Sequence, residues 1–242
     1  MVGFGTILNV GAIIVGGLIG LLFGKGLRER WQDALGKVCG ISTMFLGGAG
    51  AIAGMLTVAA DGSVSSGKSM LLVLTLVIGT FIGEVLNIDG WFIRFGEWLK
   101  RKTGSEGDRS FVGGFVTASL TVSIGAMAIV GSIQDGIFGD WSTLATKAVL
   151  DFIIVLVMTC TMGKGCIFSA IPVGVFQGTM TALARLAQPI MTDAAMANLS
   201  TVGSVLIFCV GLNLIREQKL RVANMLPALI LAVAAAFLPI SL

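Results

Sequence analysis

The sequence contains no histidine, and only four cysteines and four prolines occur among its 242 residues. Without His, the chain has no Ser–His or Cys–His pair and no HExxH zinc site. Glycine-rich phosphate loops are missing as well. The cysteines form no CxxC motif and lack metal-ligand spacing, so we interpret them as small apolar residues. We therefore expect neither an enzyme nor a bound cofactor or metal.

Charged residues are also scarce: they make up 12% of the chain, against 55% hydrophobic residues and a mean hydropathy of +0.97. Several apolar runs reach about 20 residues, the length that crosses the hydrocarbon core of a bilayer. The 34 glycines then serve close helix packing. We predict an all-α polytopic membrane protein, with one transmembrane domain over residues 1–242. About eight transmembrane helices are expected: 4–24, 38–60, 69–87, 111–133, 143–162, 165–187, 195–215 and 222–241.

Basic residues are concentrated in alternate gaps between these runs. Thirteen of the 16 Lys and Arg residues lie in the odd-numbered gaps. By the positive-inside rule, those gaps face the cytoplasm and both termini lie outside. The net charge of +3 reflects these loops and gives no reason to expect a nucleic-acid partner.

Two of the cytoplasmic gaps show helical spacing of their own. In residues 27–38 and again in residues 91–99, Trp and aliphatic side chains recur at helical intervals with cations between them. Each pattern predicts an amphipathic elbow that lies in the headgroup region. An anchoring role is favoured over a regulatory one.

A duplicated parallel hairpin is predicted over about residues 4–60 and 69–134. In each copy a GxxxG helix comes before the elbow and a Gly-rich helix follows it. The segments 48–54 and 125–131 agree at five of seven positions. Both copies begin on the same side of the membrane, so the repeat is parallel rather than inverted.

Amide and ionisable side chains within the apolar runs are the first candidates for a site, because they are expensive to bury in lipid. Asn9 and Asn213 suit a structural amide and a substrate ligand equally well. Glu84 lies near the inner end of its run. An interfacial carboxylate that snorkels or pairs with Lys100 to Lys102 is slightly favoured over a site role.

The fourth run is the most unusual, because hydroxyl residues alternate with small apolar ones from Thr117 to Ser123. Thr121 and Ser123 lie just before a Gly-rich stretch. A locally unwound helix with exposed carbonyls and ordinary small-residue packing with back-bonded hydroxyls are equally compatible with this pattern. Gln134 and Asp135 would lie at the outer mouth of this helix.

The fifth and sixth runs add an acid and an amide. Lys147 and Asp151 are four residues apart, which predicts a local ion pair or, more specifically, a buried carboxylate for a cation or proton with Lys147 as its resting partner. Pro172 predicts a kink, and Gln177 beyond it would lie beside Asp151. The alternative for Gln177 is an amide that ties two helices together.

The order of residues 125–136, then Lys147 to Asp151, then residues 169–173 and 177–178 resembles the bacterial YqgA/YdfK-like integral membrane proteins. The Gly-Ser-Ile-Gln-Asp-Gly run at 131–136 is the most specific part, and the resemblance extends over the whole chain. It implies a bacterial inner-membrane protein. Because that family carries a domain of unknown function, the resemblance supplies no substrate and no site residues.

A transporter or channel for a small solute or ion fits these features best, with a polar site among the fourth, fifth and sixth helices. The alternative is a non-transporting scaffold or assembly protein whose polar groups only hold helices together. The small-residue helices also suit a homo-oligomeric interface. The candidate substrate-binding residues are Asp151, Gln177, Gln134, Asp135, Thr121, Ser123, Asn9, Asn213 and Glu84.

Overall fold

The computed structural model describes residues 1–26, 28–58, 62–123, 126–216 and 220–238. Helices dominate, and a short antiparallel pair, β1 (Leu56–Val58) and β2 (Val64–Ser66), follows the second of them. Two 3₁₀ segments cover Lys164–Ser169 and Val222–Met225. The helices are α1 (Phe4–Gly26), α2 (Glu29–Met55), α3 (Ser69–Leu86), α4 (Ile88–Lys102), α5 (Phe111–Ser123), α6 (Ala126–Phe138), α7 (Ser142–Met162), α8 (Ala170–Ala182), α9 (Ala184–Ala187), α10 (Asp193–Ile215) and α11 (Pro227–Ala235).

The all-α polytopic fold is confirmed, but the count of eight spans is not. Within the described ranges, six helices are long and apolar enough to cross a membrane, or seven if the bent pair α5–α6 is one span. The predicted span 222–241 is the exception. It consists of a 3₁₀ turn followed by the nine residues of α11, and its last residues lie outside the description.

The first elbow is not a separate helix. α2 is one uninterrupted helix. It continues from Glu29 through the predicted elbow and into the second span. A salt bridge of 2.6 Å between Lys37 and Asp33 joins successive turns. At its other end α2 stops at Met55, and β1 replaces the final turns predicted for 38–60.

The second elbow is confirmed as α4, whose first turn is capped by the Asn87 side chain. Trp91 and Trp98 are exposed, whereas Leu99 is buried in a cluster with Phe111 and Phe115 of α5.

The start of α4 is tied to the 3₁₀ turn at 222–225. The backbone N–H of Asp89 donates to the Asn224 side-chain oxygen at 2.7 Å. Burial raises the pKa of the Asp89 carboxyl, and the nearby Arg221 opposes that shift.

The predicted fourth helix, 111–133, is broken. α5 ends at Ser123, α6 begins at Ala126, and the two are bent by 62°. The bend favours the interpretation of this run as an interrupted helix over that of a straight one. Gly125, on which the repeat comparison partly rests, lies outside the described residues, and the duplication over 4–60 and 69–134 stays a prediction.

The expected kink at Pro172 takes a different form. The run that starts at Lys164 is a 3₁₀ segment up to Ser169, and α-helical geometry begins at Ala170. Pro172 is therefore in the first turn of α8, where a missing N–H removes no intrahelical bond. The predicted span 165–187 also ends early, because the chain turns at Leu183 before the short α9.

Glycines set the distance between α1 and α7. A Cβ added to Gly16 would lie 2.6 Å from the carbonyl oxygen of Phe152, and one added to Gly20 would collide with the carbonyl oxygen of Leu156. Such close contact is how membrane helices pack without a hydrophobic drive. Residue numbers rise together along both helices, so α1 and α7 run parallel.

α8 and the 3₁₀ segment before it run antiparallel to α1. A Cβ on Gly174 would be 3.2 Å from the Val10 side chain, and one on Gly17 would be 2.6 Å from that of Ile167. α2 and α10 are also antiparallel, with Gly47 against Phe208 and Gly54 against Thr201. A buried cluster joins α1, α5, α7 and α8: Ile13, Ala118, Val122, Val155, Met158, Cys166, Ala170 and Val173.

Candidate functional site

A buried ion pair lies on α7. The Lys147 ammonium is 2.8 Å from Asp151 Oδ1 and 2.6 Å from Asp151 Oδ2. The two residues are one helical turn apart, and only 7% of Lys147 and 3% of Asp151 is exposed. A lone charge in a membrane helix is expensive, so each of these groups depends on the other.

The third hydrogen of the Lys147 ammonium is donated to the backbone of α5. Its acceptor is the carbonyl oxygen of Val122, at 2.7 Å. Val122 is the last but one described residue of α5, so the buried cation is bonded to this helix next to its 62° bend towards α6.

Asn9 of α1 completes the first set of contacts. Its Nδ2 donates to Asp151 Oδ2 at 2.9 Å, and the residue is fully buried. Its Oδ1 has no hydrogen-bond partner among the described residues. Asn9 of the first helix thus contacts Asp151 directly, and the close glycine packing of α1 on α7 permits this contact.

A cavity of about 260 Å³ borders the ion pair. Thr121 of α5, Lys147 and Asp151 line it. Thr121 donates its hydroxyl hydrogen to the Thr117 carbonyl at 2.8 Å, which leaves its oxygen lone pairs available to a ligand. The opposite wall carries three more hydroxyls, from Thr43 of α2 and from Ser200 and Ser204 of α10.

These three residues were not among the site residues predicted from the sequence. Ser200 and Ser204 are one turn apart on α10, and Thr43 lies on α2, which packs antiparallel to it. The spacing of the two serines was the available signal, but Ser and Thr are ordinary packing residues of membrane helices. Only the tertiary contact between α2 and α10 brings them to Asp151.

Gln177 of α8 is 1% exposed. Neither Nε2 nor Oε1 has a hydrogen-bond partner within the described ranges. The structure shows no bond between Gln177 and the ion pair, and Gln177 is not among the residues that line the cavity.

Gln134 and Asp135 of α6 make structural contacts. The Asp135 carboxylate accepts from the backbone N–H of Gly3 at 3.1 Å and of Gly5 at 3.0 Å, which caps the start of α1. Gln134 Oε1 accepts from the Thr143 hydroxyl at 2.7 Å. Both residues join helices near the N-terminal end of α1, and neither lines the cavity.

Asn213 and Glu84 lie away from Asp151. The Asn213 amide bonds both the N–H and the carbonyl of Leu220, each at 2.7 Å. Nine residues separate it from Ser204, which is about 14 Å along a helix. Glu84 accepts from Arg221 at 3.0 Å in an exposed pair. Exposed pairs of this kind contribute little to stability.

Ser123 borders a different and larger cavity of about 850 Å³. Its walls are apolar apart from Ser123 and Thr179; they include Pro172, Val175, Phe176, Leu199, Ile230 and Phe237. Size alone would favour this cavity as the ligand site. A polar solute would nonetheless find few partners there, so the smaller cavity beside the ion pair is the better candidate.

Several membrane-length helices around a buried ion pair define the class: a multi-pass α-helical membrane protein. The chain belongs to the family described as "Protein of unknown function (DUF554)", whose model matches residues 4–237.

Two relatives extend over nearly the same length. "Uncharacterized membrane protein YdfK" of Bacillus subtilis (strain 168) is 28% identical over 228 residues, covering 94% of this chain and 93% of the relative. "Uncharacterized protein YqgA" of Escherichia coli (strain K12) is 27% identical over 232 residues, covering 94% of each chain. No solved structure matches the chain significantly.

Proposed function

We propose that this protein is a membrane transporter or channel for a small solute or ion, and not an enzyme. The proposed site comprises Asn9, Lys147 and Asp151 together with the cavity beside them. One observation carries the proposal: the two buried charges border a cavity whose wall combines four hydroxyl residues with apolar residues such as Leu46 and Ile154.

The size and charge of the site limit the substrate. A cavity of about 260 Å³ holds several water molecules or one small solute. Lys147 and Asp151 neutralise each other. The hydroxyls of Thr43 and Thr121, which donate to backbone carbonyls, can accept from a solute. A small neutral or zwitterionic molecule would bind without disturbing the pair, whereas an ion would compete with one of its two members.

The same proposal places the protein in a bacterial inner membrane, with α1 beginning outside the cytoplasm. The basic gaps support this orientation. The parallel packing of α1 on α7 and the antiparallel packing of α8 on α1 fit the predicted alternation of the spans in either orientation. An outside C-terminus requires the segment from Val222 onwards to cross as well. The bilayer and a second copy of the chain are the expected partners, with no nucleic acid.

Thermal unfolding of the purified protein tests the site first. The probes are alkali-metal chlorides, sodium halides, sodium phosphate, and small amino acids, sugars and amides, each added to the native protein and to Asp151→Asn. Glu84→Gln is the matched control, because it neutralises an acid within a span but away from the cavity. A probe that binds should raise the melting temperature of the native protein and of Glu84→Gln, but not of Asp151→Asn.

Flux follows for each probe that binds. Native proteoliposomes should take up the probe, those with Asp151→Asn should not, and those with Glu84→Gln should behave like the native protein. If no probe shifts the melting temperature or enters the vesicles, the scaffold interpretation replaces this proposal. The same holds if Asp151→Asn transports normally.

A further inference from the structure

Four buried polar residues form a second cluster on the side of Asp151 towards the N-terminal end of α1. Thr6 and Asn9 belong to α1, and Gln177 and Thr181 belong to α8. None of the four is more than 8% exposed. Within the described ranges, no partner is bonded to Thr6 Oγ1, Asn9 Oδ1, Thr181 Oγ1 or either amide atom of Gln177.

The helix register places these residues opposite one another. Val10 faces Gly174 and Gly17 faces Ile167. Seven residues forward along α1 therefore correspond to seven residues backward along α8 and the segment before it. By that register Thr6 is level with Gly178, between Gln177 and Thr181 along α8.

The far end of the cluster lies against α6. A Cβ on Gly136 would collide with the carbonyl oxygen of Thr181, and the preceding Asp135 is bonded to Gly3 and Gly5 of α1. Between this contact and the Val10–Gly174 contact the two helices leave room. A Cβ on Gly178 would meet no atom within 4 Å.

The polar groups of the cluster are suited to binding water. Its groups are two hydroxyls and two amides, which offer donors and acceptors but no charge. Buried water occurs where several unsatisfied polar groups converge in a roomy site, and it makes about three hydrogen bonds there. A dehydrated ion would need a counter-charge, and the charged group next to the cluster is already bonded to Lys147.

Asn9 connects this cluster to the ion pair. Its Nδ2 is bonded to Asp151, while its Oδ1 belongs to the unpartnered set. We propose that the cluster binds a chain of water molecules that carries protons between the membrane face at the start of α1 and the Asp151 carboxylate. This inference rests on the proposed function only in taking Asp151 as the functional carboxylate.

The proton transfer is a simple exchange. A hydronium ion at the cluster gives one proton to an Asp151 oxygen; an O–H bond forms on the carboxyl, one breaks on the hydronium, and a water molecule remains. The carboxyl then gives the proton to a water molecule in the cavity beside Asp151; its O–H bond breaks, a hydronium ion forms and the carboxylate is restored. Lys147 keeps its charge and its bond to the Val122 carbonyl.

The groups that face Asp151 from the neighbouring helices are otherwise neutral: Asn9 from α1, the Val122 carbonyl from α5, and the Thr43 and Ser204 hydroxyls from α2 and α10. Asp135 of α6 is the acid at the far end of the cluster.

Proton flux tests this directly in proteoliposomes loaded with a pH-sensitive dye, with a potassium gradient and valinomycin to set the voltage. The native protein should acidify the vesicles faster than protein-free liposomes. Gln177→Leu keeps the size of the side chain but removes both amide groups, so its flux should fall to the protein-free level, as should that of Asp151→Asn. Gln188→Leu, at an exposed glutamine just after α9, is the matched control and should keep the native flux.

The isosteric double variant Thr6→Val/Thr181→Val provides a second test that does not depend on the folding of Gln177→Leu, and it should also lose flux. Native-level flux in that double variant or in Gln177→Leu would overturn the inference, as would a native protein no faster than empty liposomes. In that case, a probe that still raises the melting temperature of the native protein but not that of Asp151→Asn would continue to support the proposed solute site. Proton flux without any binding probe would support the water chain alone.

Discussion

The Lys147 ammonium is bonded to the carbonyl oxygen of Val122 at 2.7 Å. This contact joins the broken end of α5 to the ion pair on α7. A lysine without that carbonyl would lose one of its three acceptors, and an unsatisfied polar group is costly in the membrane. The Val122 carbonyl therefore stabilises the buried ammonium together with Asp151.

The ion pair should show strong energetic coupling. Lys147→Met leaves Asp151 charged and unpaired, and Asp151→Leu does the same to Lys147, so each should cost about 3–5 kcal/mol of unfolding free energy. The double variant removes both charges and should be much closer to the native protein. Thermal and denaturant unfolding of all four proteins completes the cycle. Simple additivity of the two losses would contradict the pairing.

Close packing of α1 on α7 predicts a sharp difference between two glycines of α1. Gly20→Ala places a methyl group against the Leu156 carbonyl and should destabilise the protein by about 1–3 kcal/mol. Gly11→Ala, where no atom lies within 4 Å, is the control. It should be neutral or stabilise the helix by up to about 1 kcal/mol. Equal melting temperatures for the two variants would argue against this packing.

Asp135 should hold the start of α1. Asp135→Ala removes the acceptor for the N–H groups of Gly3 and Gly5, and loss of such a cap costs about 0.5–2 kcal/mol. Hydrogen exchange of those two amides should accelerate, while amides in the middle of α1 keep their protection. Unchanged exchange at both glycines would mean that the carboxylate does not cap the helix.

Burial of Asp89 gives a prediction for pH. Burial raises the pKa of this carboxyl above its ordinary value of 3.8, so the folded state binds the proton more tightly than the unfolded state. At neutral pH the ionised Asp89 carboxylate therefore lowers the free energy of unfolding. This loss disappears as the pH falls below the ordinary pKa of the carboxyl.

Asp89→Asn should consequently melt at a higher temperature than the native protein at neutral pH. The difference should shrink as the pH approaches 3.8. Melting curves of both proteins across that range check it, with Asp33→Asn, at an exposed acid of α2, as the control for a generic loss of charge. A difference that does not change with pH would exclude burial as its cause.

Much of this arrangement could be predicted from local sequence. The spacing of Lys147 and Asp151 indicated an ion pair because residues four apart share a helix face, and Gly125 near the hydroxyl-rich run indicated a weak point in the helix. The amide of Asn9 was recognisable as costly in lipid. Its bond to Asp151 could not be predicted, because α1 packs on α7 through glycines, and only the tertiary structure fixes which residues of the two helices lie opposite each other.

The remaining features depend on long-range packing or on the residues at which helices begin and end, which the sequence marks only weakly. Ser204 resembles any small packing residue until the contact of α2 with α10 places it, with Thr43, on the wall of one cavity. Pro172 suggests a kink, yet its effect depends on where α8 begins. The short final helix reads as a span by composition, although α11 has only nine residues.

Accessibility of the cavity wall tests the proposed site most directly. In a chain whose four cysteines are changed to alanine, Ser204→Cys would place a thiol on the cavity, and Thr201→Cys would place one on the same helix against Gly54. In proteoliposomes, a small charged methanethiosulfonate reagent should label Ser204→Cys readily and Thr201→Cys barely, and a probe that binds at Asp151 should slow the labelling. If Ser204→Cys stays as unreactive as Thr201→Cys, no solute reaches the ion pair and the transport proposal is contradicted.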